Sequence, residues 1–336
     1  MRESAMEALR ILAMSMIVCG HFITHGVKLL KANQALYYCL EPWMICGVNL
    51  FFLISGWFGI RLSLRSLVKL VTTTAFFIAV SLLILLLFGA DIPKGAFADL
   101  IFFPVSRGRY WFIMVYMALM LVSPLLNEGI RHLPLRSLSI LVLTLFLFSC
   151  YGCWYGNNYV SFNGYTIMQA IFLYVLAAWL RLISGRLERV PRFVWPASFV
   201  GLIVLDCVIG YFTRFSELFD YNAPLVVLAS VSLFLYFSRI SFRNGVVNAI
   251  ATASFGCYLL QDGYAGRQLL YPAIRRLYLY LFDTYATPTA VTLITLTIIA
   301  SVAAIWLASI LLTPIATRLA TRLATLTERL WRRLGY

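Results

Sequence analysis

Ten stretches of predominantly apolar residues recur along this chain, at 8–25, 43–60, 67–88, 110–126, 138–154, 167–183, 194–212, 223–238, 247–264 and 289–312. Each is close to the ~20 residues that an α-helix needs to cross a bilayer. Lipid offers no water to a backbone N–H or C=O, so a spanning segment must pair these groups within itself, and helices do this. Composition agrees, with 62% hydrophobic and 12% charged residues and a mean hydropathy of +0.88. A soluble domain is about half apolar and a quarter charged. The expected fold is therefore an all-α polytopic membrane protein of about ten transmembrane helices. The aromatic stretch 269–282, which carries Arg275 and Arg276, reads as an interfacial or re-entrant segment.

The net charge of +14 would point to nucleic acid in a soluble protein. Here the basic residues sit in short runs between apolar stretches, so they orient the chain and meet lipid headgroups, and no nucleic-acid partner is expected. With the N-terminus inside, eighteen of the 27 Lys and Arg residues fall on the cytoplasmic side, and the outer loop 155–166 has none. Both termini are thus expected in the cytoplasm. No small-residue cleavage site follows His21, so the first helix is expected to stay as a signal anchor. No connection exceeds roughly 25 residues, which leaves one membrane domain over 1–314. The tail 315–336, with Arg318, Arg322, Arg329, Arg332 and Arg333 among spaced leucines, reads as a basic amphipathic helix on the inner leaflet. Short loops suit a prokaryotic inner membrane.

The first stretch also carries ionisable side chains. Glu7, Arg10 and His21 lie in or beside an apolar span, and such residues usually face a bundle interior or a wet cavity. At about 100° per residue, the step from position 10 to position 21 returns to within ~20° of the same face. Glu7 precedes Arg10 by three residues, the spacing of a helical ion pair. The stripe places Arg10 at the cytoplasmic rim and His21 roughly 16 Å deeper. Two readings stand side by side. In one, a neutral imidazole takes a proton from an acceptor hydroxyl and an arginine holds a phosphate. In the other, His21 hydrogen-bonds to a neighbouring helix and Arg10 only anchors the span.

His25 follows His21 by four residues, a spacing compatible with a metal. The remaining histidine, His132, falls on the opposite side of the membrane. No metal site is expected, and His25 reads as an outer-edge residue. Cys150 and Cys153 form a C-x-x-C without a second half-site, and the cysteines read as small core residues.

The opening EALRILAMSMIVCGHF resembles the first helix of the acyltransferase-3 family of membrane acyltransferases, with Glu7, Arg10 and His21 at the positions of that family's acidic residue, Arg and His. VNLFFLISGWFG is similar to the family's run ending in Phe-Phe-x-x-Ser-Gly, here Phe51, Phe52, Ser55 and Gly56, followed by Arg65 and Lys69. RYWFIMVYMALMLVSPLLN resembles its fourth-helix segment, with Trp111, Tyr116 and Pro124. ASFGCYLLQD resembles a late segment in which Tyr-Leu commonly precedes His, and here Tyr258 and Leu259 lead to Gln261. Two departures accompany the likeness. Ser66 and Lys69 stand where Arg is commoner, and Gln261 cannot act as a base.

The resemblance implies transfer of an acyl group, most often acetyl from cytoplasmic acetyl-CoA, to a surface glycan, lipid-linked sugar or other hydroxyl acceptor at the outer face. It implies that His21 and Arg10, with Glu7, form the catalytic set. The CoA phosphates are expected near Arg10, Arg65 and Lys69. His21 acts as general base or briefly carries the acyl group. Ser55 either bonds the acyl carbonyl or serves close packing. Substrate contacts are expected from Trp111, Tyr116, Tyr258 and Gln261, and from Trp154 with Tyr155, Asn157 and Asn158 of the uncharged outer loop. The rival from another class is a secondary transporter of a small polar solute, although no repeat symmetry supports it. A sensor or scaffold that has kept the fold without the chemistry is a third reading.

Overall fold

The structure, a computed structural model, describes residues 4–102, 104–105, 110–152, 154 and 160–334. Among the described residues every regular element is a helix. In chain order the main ones are α1 (Ser4–His21), α2 (Gln34–Phe58), α3 (Leu64–Leu87), α4 (Trp111–His132), α5 (Leu135–Leu147) and α6 (Ile167–Leu182). They continue with α7 (Val194–Thr213), α8 (Pro224–Ser238), α9 (Gly245–Ala251), α10 (Ser254–Gln261), α11 (Tyr271–Thr284) and α12 (Thr287–Arg333). Among the described residues eight helical segments are long and apolar enough to cross a membrane, and two shorter apolar ones, Ile167–Leu182 and Gly245–Gln261, lie where the sequence places the other two spans. The protein is an all-α polytopic membrane protein.

Local chemistry sets the helix ends. Asn33 caps α2 by accepting from Leu36 N–H at 3.1 Å, and Ser63 caps α3 by accepting from Ser66 N–H at 3.1 Å. Gly59 stops α2 in the left-handed region, φ 78°, where a side chain would be strained. Pro224 and Pro288 sit in the first turns of α8 and α12, where their missing N–H costs nothing.

Two expectations change. The stretch 247–264 is not one helix but breaks at Thr252 and Ala253 between α9 and α10. Ser309 on α12 donates to the Ala253 carbonyl at 2.7 Å, so a group released by the break is paired by protein. The tail is not set apart from the last span, because α12 runs unbroken through Pro314 for 47 residues, about 70 Å at 1.5 Å per residue. Over its last third Ala316, Ala320 and Ala324 are buried, whereas Leu319, Leu323, Leu326 and Leu330 are exposed. The small residues do the packing and the leucines face outward.

The chain divides into two compact units. The first comprises residues 1–20, 33–61 and 115–251. Here α2 packs against α6, α7 and α8. A Cβ on Gly47 would stand 2.6 Å from the Ala13 carbonyl oxygen of α1, and one on Gly56 would stand 2.2 Å from that of Tyr174 on α6. Backbones therefore touch at both places, as small residues permit in membrane helices. The loop after α7 is tied down by amides. Asn49 and Gln169 donate to the Tyr221 carbonyl at 2.8 and 2.9 Å, and Asn222 donates to Ser149 O at 3.0 Å and Ser161 Oγ at 2.9 Å.

The second unit comprises residues 21–32, 62–114 and 252–336. In it α12 packs along α3, α10 and α11. Gly256 on α10 makes room for this, since a Cβ there would lie 2.3 Å from Ser309 Oγ.

Gly56→Ala should push α2 off α6 and lower stability by about 1–3 kcal/mol, read as a fall in melting temperature in detergent. Gly129→Ala, where nothing lies within 4 Å of an added Cβ, should leave it unchanged.

Candidate functional site

The ionisable residues of the first span lie in different settings. In the first unit Glu7 is buried and takes both contacts from one arginine nitrogen, Arg10 Nη1 to Oε1 at 2.9 Å and to Oε2 at 3.1 Å. The Arg10 side chain remains 31% exposed. Tyr116 on α4 interacts with Ser55 through its hydroxyl and feels the charge of Arg10. Ser55 gives its own proton to the Phe51 carbonyl at 2.8 Å, which leaves its lone pairs to accept from Tyr116. Gly56 beside it serves helix packing.

His21 belongs to the second unit. It sits where α1 passes into a π turn, Phe22–Val27, which ends on Lys28 in the left-handed region at φ 55°. Such wide turns recur at functional sites. Gly26 lets this turn approach α11, since its Cβ would meet Ile274 at 3.2 Å. Half-buried, His21 bonds through Nδ1 to Gln261 Oε1 at 2.9 Å. Tyr271 donates its hydroxyl proton to that same oxygen. The Gln261 Nε2 group is buried and has no hydrogen-bond partner among the described residues. His25 is exposed, and its ring centroid lies 5.0 Å from that of His21 and 5.8 Å from that of Tyr271. Phe22 meets Tyr271 edge-on at 5.7 Å.

The end of α10 is built to hold Gln261. Asp262, buried, takes Arg267 Nη2 at 2.7 Å and Nε at 2.9 Å, and the charge of Arg267 reaches both imidazoles. A second π turn, Gly266–Leu270, folds back on this end. A Cβ at Gly266 would lie 1.9 Å from the Gln261 carbonyl oxygen, so glycine is required there. Tyr258 is buried one turn earlier, its ring 5.7 Å from Tyr110 and 6.0 Å from Phe112. Tyr110 donates to the Leu259 carbonyl at 3.1 Å. Trp111 stacks edge-on to Phe112 at 6.0 Å.

Arg65 and Lys69 lie one turn apart on α3. Arg65 is engaged by Glu328 of α12 at 3.0 Å. Trp154, in the first unit, donates to the Glu217 carbonyl at 2.7 Å and packs its ring 5.7 Å from Phe215, so its N–H is spent on the protein's own loop. Tyr155, Asn157, Asn158 and Cys153 lie outside the described residues. Among the described residues no group of three or more His, Cys, Asp or Glu side chains is arranged to hold a metal.

Sequence reasoning missed Tyr271 and the Arg267–Asp262 pair. The available signal was a charged pair inside an apolar stretch, but its spacing of five residues fits no α-helical ion pair. The π turn supplies the extra residue.

Gly266→Ala should displace Gln261 from His21 and reduce any activity that depends on their contact by roughly five- to a hundredfold, as loss of a buried hydrogen bond costs about 1–3 kcal/mol. Gly185→Ala, in open space, is the matched control. Turnover in membranes adjusted to equal protein checks both.

Among known proteins, a family model described as an acyltransferase domain matches residues 3–313. No curated protein and no solved structure matches the chain. The matched region begins before Glu7 and runs into α12, so it includes Arg10, His21, Gln261 and Tyr271. It supports an acyltransferase and lends nothing to the transporter reading. The chain belongs to the acyltransferase-3 family and is an integral membrane acyltransferase.

Proposed function

We propose that this protein moves an acyl group, acetyl in the first instance, from acyl-CoA at the cytoplasmic face to a hydroxyl of a surface glycan or lipid-linked sugar at the outer face, with His21 as general base. The observation that carries this reading is the bond between His21 Nδ1 and Gln261 Oε1. An amide oxygen only accepts, so the ring proton sits on Nδ1 and the lone pair is left on Nε2. The Tyr271 hydroxyl donates to the same oxygen.

Nε2 then takes the proton of the acceptor hydroxyl as its oxygen attacks the thioester carbonyl. The C–S bond breaks, and the imidazolium returns the proton to the departing thiolate. An ester and a free thiol result, with no other reactant needed. Gln261 Nε2–H, buried and without a partner among the described residues, is available to donate to the oxygen on which negative charge develops. This gives the glutamine a role that a base at its position would not fill. As the family resemblance implies, the donor's phosphates are assigned to Arg10, Arg65 and Lys69, and donor binding would compete with Glu328 for Arg65. Substrate contacts are assigned to Trp111, Tyr116 and Tyr258. The membrane is that of a prokaryotic cell envelope.

His21→Ala should abolish acylation of the surface glycan, read by mass analysis, with a normal amount of protein in the membrane. Retained acylation would remove His21 from the chemistry. Gln261→Glu puts a carboxylate against the ring and stabilises imidazolium. Because the base works as neutral imidazole, the rise of rate with pH should move to higher pH in this variant.

A further inference from the structure

The first unit holds a cavity of about 760 Å³ that none of the proposed catalytic residues lines. Its wall includes three arginines from separate parts of the chain, Arg61 after α2, Arg131 on α4 and Arg181 on α6, together with Asn127. No acidic side chain among the described residues lines it. Glu128 pairs with Arg131 at 2.9 Å from outside the wall.

The site is braced. Asn127 donates to the Ile60 carbonyl at 2.9 Å and accepts from Tyr174 Oη at 2.7 Å, and Tyr174 Oη in turn accepts from Ile60 N–H at 2.8 Å. This closed triangle holds the turn that carries Arg61. Arg181 is fixed through Nη1 to the Trp57 carbonyl at 2.8 Å, and a guanidinium has further N–H groups to offer. Beside the cations, Leu133, Leu135 and Leu182 line the same cavity and are 40%, 37% and 54% exposed. Surface arginines that merely orient a span need neither a concavity nor an apolar rim.

We propose that this cavity is a second anion site, binding an amphiphilic phosphate ester with its phosphate on Arg61, Arg131 and Arg181 and its apolar part on the leucines. Two sources share that chemistry, the headgroup of an anionic phospholipid of the inner leaflet and the phosphates of acyl-CoA. The lipid source stands whether or not His21 transfers an acyl group. The CoA source rests on that reading.

Native mass spectrometry of the full chain in neutral detergent tests this with phosphatidylglycerol, phosphatidylcholine and coenzyme A as probes. Wild type should retain phosphatidylglycerol or coenzyme A in preference to phosphatidylcholine. Arg61→Gln/Arg131→Gln should weaken that binding roughly tenfold, at about a few-fold per lost cation. Arg186→Gln/Arg189→Gln removes the same charge from exposed residues off the cavity wall and should leave binding unchanged. Loss confined to phosphatidylglycerol assigns a lipid headgroup, loss confined to coenzyme A assigns the donor's phosphates, and loss of both assigns a general phosphate site. Unchanged binding of both probes, equal loss in the two double variants, or no binding to wild type overturns the proposal. If the first double variant melts below wild type without ligand, Arg131→Gln alone carries the test, since that side chain is 67% exposed.

Discussion

A helix in hydrocarbon has no water to repair a broken backbone bond, and that constraint governs where this chain departs from regular helix. In the second unit the departures are the π turn after His21, the break at Thr252–Ala253 and the π turn at Gly266–Leu270. Each is compensated by the protein. Ser309 covers the Ala253 carbonyl, Arg275 covers that of Val27, and Ser81 accepts from Ala265 N–H at 2.7 Å. The irregular turns bring His21, His25, Gln261 and Tyr271 to one place. Polar side chains therefore do two jobs here: some mend the backbone that bends, and others occupy the space that the bending creates.

The class of fold was legible because apolar length is a one-dimensional property. A run of about twenty apolar residues has few other uses, so most spans read correctly, and helix breaks such as that at Ala253 did not. That break depends on a serine more than fifty positions away, which no local pattern announces. The alanine seam of α12 was hidden by its leucines. Leucines at helical spacing usually mark the packed face, yet here Ala316, Ala320 and Ala324 allow the closer approach.

The site was legible in its first-helix stripe and much less in what surrounds it. Glu7, Arg10 and His21 stood out because ionisable groups are rare in such a span. Gln261 drew notice as a departure from a family pattern, and its geometry gives that departure a physical meaning. A glutamine cannot exchange protons as a histidine does, but its two ends can both accept from the ring and donate to a developing oxyanion. Tyr271 looks like an ordinary interfacial residue until the π turns are known. The Arg267–Asp262 pair is hidden for the same reason.

The proposed chemistry requires Gln261 to hold His21 with its proton on Nδ1 and a lone pair on Nε2. Because the chain contains three histidines, solid-state ¹⁵N NMR of histidine-labelled protein in bilayers addresses this directly, with His25→Asn and His132→Asn used to assign the signals. The expected result is a neutral His21 ring protonated at Nδ1, with a Gln261→Leu variant reverting to the Nε2–H form common for free imidazole. An Nε2–H ring at His21 in the wild-type protein would contradict it.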